Sequence, residues 1–272
     1  MGIITLTTDL GYRDPYLALV KARLLSGEVD PRIIDLSCEV STNNLSEAAF
    51  IVQQALPAFP PETIHLVGIK FIAERSALAK TEVADNTRFL VAKYRNQYIF
   101  TPDTGFFTLL DKNFSDEVYQ LYYEEEKARH FFLKDILANA ALQVLNGKSL
   151  SDIGMKTNEY HKALPFESYV NGNELRGRGV YIDDFGNIIT NITYDIWQQV
   201  VAQKSFTVTL PGTRISKLSQ TYDDVRPGSA LLLFNSFGYL ELAVNGKSAY
   251  RMLYPRDIGK HFEFNLIVEL ND

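Results

Sequence analysis

The sequence has little of several things, and each shortage closes off a class of function. Of its 272 residues only Cys38 is a cysteine, so no disulfide within the chain can form. That fits a reducing compartment. No histidine is near Cys38 in the sequence, and it is expected to pack as a small apolar side chain. Positive charge is also short. The 27 Lys and Arg against 33 Asp and Glu leave a formal net charge of -6, and no Lys/Arg run occurs. This excludes a broad phosphate-backbone footprint, and with it nucleic acid as a partner. No apolar stretch approaches the about 20 residues of a membrane span, and no charged-then-apolar leader opens the chain. No membrane association and a cytoplasmic location are the expectation. The histidines His65, His130, His161 and His261 show no ligand spacing to one another or to Cys38, so no metal site is expected. His65, inside an apolar run, reads as a satisfied sheet residue. P-loop, GxGxxG and GxSxG patterns are all missing, which leaves nucleophilic serine chemistry without a local anchor.

What is present is a large apolar fraction, 46%, enough for a sizeable core. To about residue 150, short apolar runs alternate with helical spacing. Ile3–Leu6, Arg32–Ser37, Thr63–Ile69, Phe89–Ala92, Tyr98–Thr101 and Asp116–Tyr123 read as strands. Tyr16–Leu25, Ala48–Leu56 (behind an Asn44/Glu47 capping box) and Phe132–Leu145 read as helices. The alternation predicts an α/β domain with a mostly parallel, helix-covered sheet. From Leu164 onward short β-rich runs are separated by Gly, Asn and Asp, which predicts a smaller all-β barrel-like domain. The division expected is 1–160 and 161–272.

One stretch organises the first domain: Thr7-Thr8-Asp9-Leu10-Gly11-Tyr12-Arg13-Asp14-Pro15-Tyr16. Asp9 stands where the first strand ends, and Asp14-Pro15 reads as an N-cap carboxylate with proline at the first helical position. Ligands of open α/β sheets bind outside the carboxyl ends of the strands. A carboxylate leaving a buried strand needs a partner, and for Asp9 either a backbone turn or a ligand hydroxyl serves. Asp14 is accounted for by capping alone. Three further turns hold polar clusters: Pro102-Asp103-Thr104-Gly105, Asp183-Asp184-Phe185-Gly186-Asn187 and Asn235-Ser236-Phe237-Gly238-Tyr239. Each taken singly is ordinary turn chemistry. Asp9, Asp14 and Asp103 together would also suit a metal-dependent phosphohydrolase.

The order of these motifs is more specific than any one of them. Thr8-Asp9-Leu10-Gly11 with Asp14-Pro15-Tyr16 and Lys21 comes first, then Ile34-Asp35-Leu36, Pro60–His65, Pro102–Gly105 and Lys134-Asp135-Ile136. Ile182–Ile192 and Asn235–Asn245 close the series, which resembles the S-adenosylmethionine (SAM) hydroxide adenosyltransferase family, relatives of the SAM-dependent fluorinase and chlorinase. The resemblance implies an N-terminal α/β domain, a C-terminal β-barrel domain and a homotrimer with the ligand at the subunit interface. It implies the reaction of SAM with water to adenosine and methionine, with SAM as substrate or ligand and no further cofactor. Carried over, Asp9 would bind the ribose hydroxyls with Asp14 near them. Asp183 would take the methionine ammonium, Phe185 and Asn187 would line the pocket, and Ser236 and Asn245 would contact the methionine and adenine portions.

The chain departs from the family where water is activated. The family aspartate of Val-Val-Asp-Pro-Gly-Val-Gly falls on Lys70 within the shorter Gly68–Ser76, and Arg75 stands for one of the paired arginines that follow. Lys70 and Arg75 are therefore the catalytic candidates. The family histidine of Thr-Phe-His-Gly-Arg-Asp falls on Phe132, with His130 two residues earlier. A lysine ammonium about 4 Å from a sulfonium costs roughly 4 kcal/mol at an effective dielectric near 20, so a Lys70 aimed into the pocket would disfavour SAM, whereas one that snorkels to solvent would not. Two expectations follow: a divergent SAM hydrolase, or a catalytically silent trimer that binds an adenine nucleoside.

Overall fold

The structure is a computed structural model that describes residues 2–69, 88–124, 131–202, 204–254 and 264–271. The candidates Lys70 and Arg75 lie outside the described residues, as do His130 and His261. The chain divides into two compact units, Met1–Pro165 and Phe166–Asp272.

The first unit is built on a seven-stranded sheet. Its strands are β1 (Ile3–Thr8), β2 (Arg32–Ser37), β3 (Ile64–Gly68), β4 (Phe89–Tyr94), β5 (Gln97–Pro102), β6 (Val118–Leu121) and β7 (Gly154–Thr157), in the order β2-β1-β3-β5-β4-β6-β7. The β2, β1, β3 and β5 strands run parallel, and β4, β6 and β7 join by antiparallel pairing. Ile4 through Thr8 are all buried, as a strand covered on both faces must be. Helices α1 (Tyr16–Leu25) and α4 (Ala138–Leu145) pack Leu17, Val20, Leu24, Ala138 and Ala141 against Ile4 and Leu6. Helices α2 (Leu45–Ala55) and α3 (Phe106–Leu110) build a second cluster, in which Ala48, Ala49, Val52, Phe106 and Phe107 meet Val67 and Ile99.

Local sequence explains the ends of these elements. Asn44 caps α2 by accepting the Glu47 N–H, and its own amide donates to the Glu47 carboxylate. The hairpin between β4 and β5 turns on Arg95 and Asn96, with φ of 50° and 61°, the paired left-handed geometry that matches strand twist. At α1 the expectation needs correction. Pro15 is itself the N-cap, no side-chain bond caps the helix, and Asp14 stands exposed one residue earlier. The segment leading into α4 is a π turn, Leu133–Leu137.

Three polar side chains inside this sheet, Thr5, His65 and Gln97, form a hydrogen-bonded chain. The Thr5 hydroxyl donates to His65 Nδ1 at 2.7 Å, and His65 Nε2 donates to Gln97 Oε1 at 2.7 Å. The Gln97 amide donates onward to the carbonyls of Leu56 and Phe59. His65 is wholly buried, and burial pushes its pKa below the ordinary histidine value.

The strands of the second unit pair antiparallel, and among the described residues they are accompanied by two short α-helices, α6 (Tyr194–Val200) and α7 (Ala249–Leu253), the four-residue α5 (Leu150–Ile153) belonging to the first unit. These strands are β8 (Tyr169–Asn171), β9 (Glu174–Ile182), β10 (Ile188–Thr193), β11 (Ser205–Leu210), β12 (Thr213–Ile215), β13 (Ala230–Phe234), β14 (Tyr239–Val244) and β15 (Asn265–Asn271). They run in the order β12-β11-β15-β9-β10-β14-β13, with β8 on β9. A bridge between Leu218 and Leu232 brings the two ends of this order together, so the sheet is nearly a barrel. Leu175, Ile188, Ile192, Trp197, Leu232, Leu242 and Val268 fill its interior.

Candidate functional site

In the first unit the parallel strands deliver their carboxyl ends to one edge of the sheet. Asp9 follows directly on β1 there, half-buried, and its Oδ2 accepts the Asn43 N–H at 3.2 Å. The backbone-turn reading of Asp9 is thus realised with one oxygen. Gly11, at φ 68°, donates its N–H to the Cys38 carbonyl and folds the loop back against the end of β2. Lys21 Nζ reaches Asp35 Oδ2 at 2.7 Å, which ties α1 to β2. Burial, and then the charge of Asp35, push the Cys38 thiol up, so it packs as a protonated side chain.

The wall beside this edge is apolar. Phe132 stacks on the buried Phe89, with ring centroids 5.4 Å apart. Leu133 lies so close to Gly68 that a Cβ there would meet Leu133 Cδ2 at 2.6 Å and Thr8 Cγ2 at 3.2 Å. Asp103 is committed elsewhere. Its carboxylate, 2% exposed, accepts from Arg88 Nη2 at 2.5 Å and from the His161 N–H at 2.7 Å. That takes away the third carboxylate a metal-dependent phosphohydrolase would need, and among the described residues no group of three His, Cys, Asp or Glu could hold a metal ion.

In the second unit Asp183, Phe185 and Asn187 share the turn between β9 and β10. Asp183 Oδ1 accepts the Asn187 N–H at 2.8 Å and Oδ2 accepts the Asn187 side-chain amide at 3.0 Å. Asn187 is buried, Asp183 half-buried and Phe185 81% exposed. Gly186, at φ 80°, is required twice over, because a Cβ would also lie 1.9 Å from Ser248 Oγ. Ser236 sits exposed on the second turn, which Asn235 shapes: its Oδ1 accepts the N–H groups of Phe237 and Tyr239, each at 3.1 Å. The Asn245 side chain donates to the Val225 carbonyl at 2.8 Å.

Register places these residues. Ile182, Ile188 and Leu242 lie in one row across β9, β10 and β14. The turn 183–187 and Asn245 are therefore at one end of these strands, and the turn 235–239 is at the other. Strand order brings Asn245 toward Asp183 and leaves Ser236 apart from it.

Two residues that sequence reasoning did not single out stand between. Glu241 pairs in register with Ile189 and Leu233, is only 2% exposed, and accepts the Tyr222 hydroxyl at 2.8 Å. Burial raises its carboxyl pKa, and the charge of Asp183 raises it further. The same surroundings push Tyr222 up to about 12, through burial first and then its bond to Glu241. The signal was available: Glu241 is the one charge inside Leu240–Val244, and charges inside apolar strands are kept only with partners.

Comparison with known proteins fits this arrangement. Residues 4–154 match the model of the SAM hydroxide adenosyltransferase N-terminal domain, and residues 177–256 match that of the C-terminal domain. An (R)-S-adenosyl-L-methionine hydrolase of Methanocaldococcus jannaschii is 24% identical over 264 residues, covering 93% of this chain and 92% of that protein. One of Thermus thermophilus is 28% identical over 259 residues, covering 90% and 93%. Among solved structures, an uncharacterized conserved protein from Thermotoga maritima superposes with a TM-score of 0.80 at 24% identity, covering 98% of this chain and 99% of that one. A conserved hypothetical protein from Thermus thermophilus gives 0.71 at 25% identity over the whole of both chains. With both domain models matched in order along most of its length, the chain belongs to the SAM hydroxide adenosyltransferase family.

Proposed function

We propose that this chain binds SAM and carries the reaction named for its relatives, SAM with water to adenosine and L-methionine. The observation behind this reading is the placement of the two retained carboxylates. Asp9 is half-buried at a strand end with one oxygen on a backbone N–H, and Asp183 is held by Asn187 beside an exposed Phe185. A carboxylate suits both tasks, accepting from ribose hydroxyls or pairing an ammonium. Attack at the ribose 5' carbon expels a neutral thioether from a sulfonium, so the leaving group needs no proton. The protein's part is to align water and strip its solvation. Lys70 and Arg75 remain the catalytic candidates, and Asp14, Asn187, Ser236 and Asn245 the further contacts. A homotrimer belongs to the same reading, and analytical ultracentrifugation measures it directly.

The test is incubation with SAM at high enzyme concentration, following adenosine and methionine by chromatography with Asp9→Ala as control. Release by the parent above the control supports the reading. A second reading, a silent protein that binds adenosine or SAM without turnover, is favoured by the apolar stack of Phe132 on Phe89 where the family has its histidine. Calorimetric binding without release would establish it. Binding of neither ligand would overturn both.

A further inference from the structure

We propose that Glu241 is a positioning residue of the second unit's ligand site, and that it sets the preference for a ligand bearing an ammonium group over the bare nucleoside. This inference rests on the functional reading above. Glu241 lies in the row of Tyr181, Ile189 and Leu233, so its side chain shares a face with that of Asp183, two residues along β9 from Tyr181. The turn 183–187 begins at one end of that face and the turn 235–239 at the other, with Glu241 between them.

It is connected to both. The Asn235 carbonyl oxygen is fixed by two backbone donors, so its amide is turned the other way and donates to Glu241. The Tyr222 hydroxyl, on which the charge of Asp183 also acts, is the second donor. The groups that act on Glu241 are Tyr222, Asn235 and Asp183, while its cross-strand neighbours Ile189 and Leu233 are apolar. No cation among the described residues contributes to its environment. A buried carboxylate without a cationic partner is costly. Here its charge adds to that of Asp183, on which an ammonium group would be received. An uncharged nucleoside would feel little of this field.

The experiment compares the Kd of SAM and of adenosine by calorimetry for the parent, E241Q and Y222F, with thermal unfolding to check each fold. E241Q keeps the shape and an acceptor but removes the charge. SAM affinity is expected to fall roughly tenfold while adenosine affinity changes by less than about twofold. In the parent, the SAM preference is lost as pH falls through the raised Glu241 pKa. In Y222F, which removes a donor to the charged form, that loss moves to higher pH. E241Q shows no such step. Equal weakening of both ligands, or no change in either, overturns the inference while leaving SAM binding intact. A parent protein that binds neither ligand overturns the functional reading, and this inference with it. If E241Q does not fold, the direction of the Y222F pH shift decides.

Discussion

Phe132 and Phe89 stack with their rings 24° from parallel, and Tyr123 meets Phe89 edge-on at 5.1 Å. Phe132, where the resemblance expects a histidine, is therefore part of an aromatic cluster. Phe132→His exchanges that stacking for a ring whose nitrogens need partners. A stability loss of about 1–2 kcal/mol is expected in urea unfolding. SAM turnover is not expected to rise, because a histidine base needs a second group to orient it. A tenfold gain in adenosine release would show that this one side chain limits water activation.

His65 gives a pH signature. It is buried as a neutral ring, and its pKa in the fold lies below the ordinary 6.5. On acidification the unfolded chain takes up the proton first. The contribution is therefore complete above pH 6.5 and is lost as pH falls below it, by at most about 1.4 kcal/mol per pH unit. The slope of unfolding free energy against pH should be shallower in His65→Gln between pH about 6.5 and 5. Equal slopes in parent and variant would mean that the ring is protonated in the fold.

Gly186→Ala tests the turn 183–187. The added Cβ meets Ser248 Oγ at 1.9 Å, and φ is 80°. Strain and displacement of the Ser248 cap of α7 together are expected to cost about 2–4 kcal/mol. Because Asp183 and Asn187 flank this glycine, SAM affinity should fall as well. A variant with the parent's melting temperature would show that the turn relaxes freely.

Much of the fold could be read from local chemistry. Asn44 with Glu47 announced the start of α2 because the signal lies within four residues. Asp14 misled for the same reason: Asp-Pro has the pattern of a cap, but the chain begins its helix one residue later. Asp9, Asp183 and Asn187 were legible as polar residues at strand ends. Glu241 was legible only as the one charge in an apolar strand; its partner Tyr222 was not, because their meeting depends on strand register and on a loop that precedes β13. The fate of Asp103 was hidden likewise, since its partners Arg88 and His161 lie far apart in the sequence.

The near-closure of the second sheet also governs when that unit can form. Strand β15 sits between β9 and β11, and its register sets Glu269 against Glu174. Strand β9 must therefore wait for a partner made about 90 residues later, and this pairing across most of the unit places it among slow-folding topologies. During synthesis the early strands β9 and β10 would stand with an open edge until Asn265–Asn271 arrives. That interval is when the nascent chain is most exposed to pairing with the wrong partner.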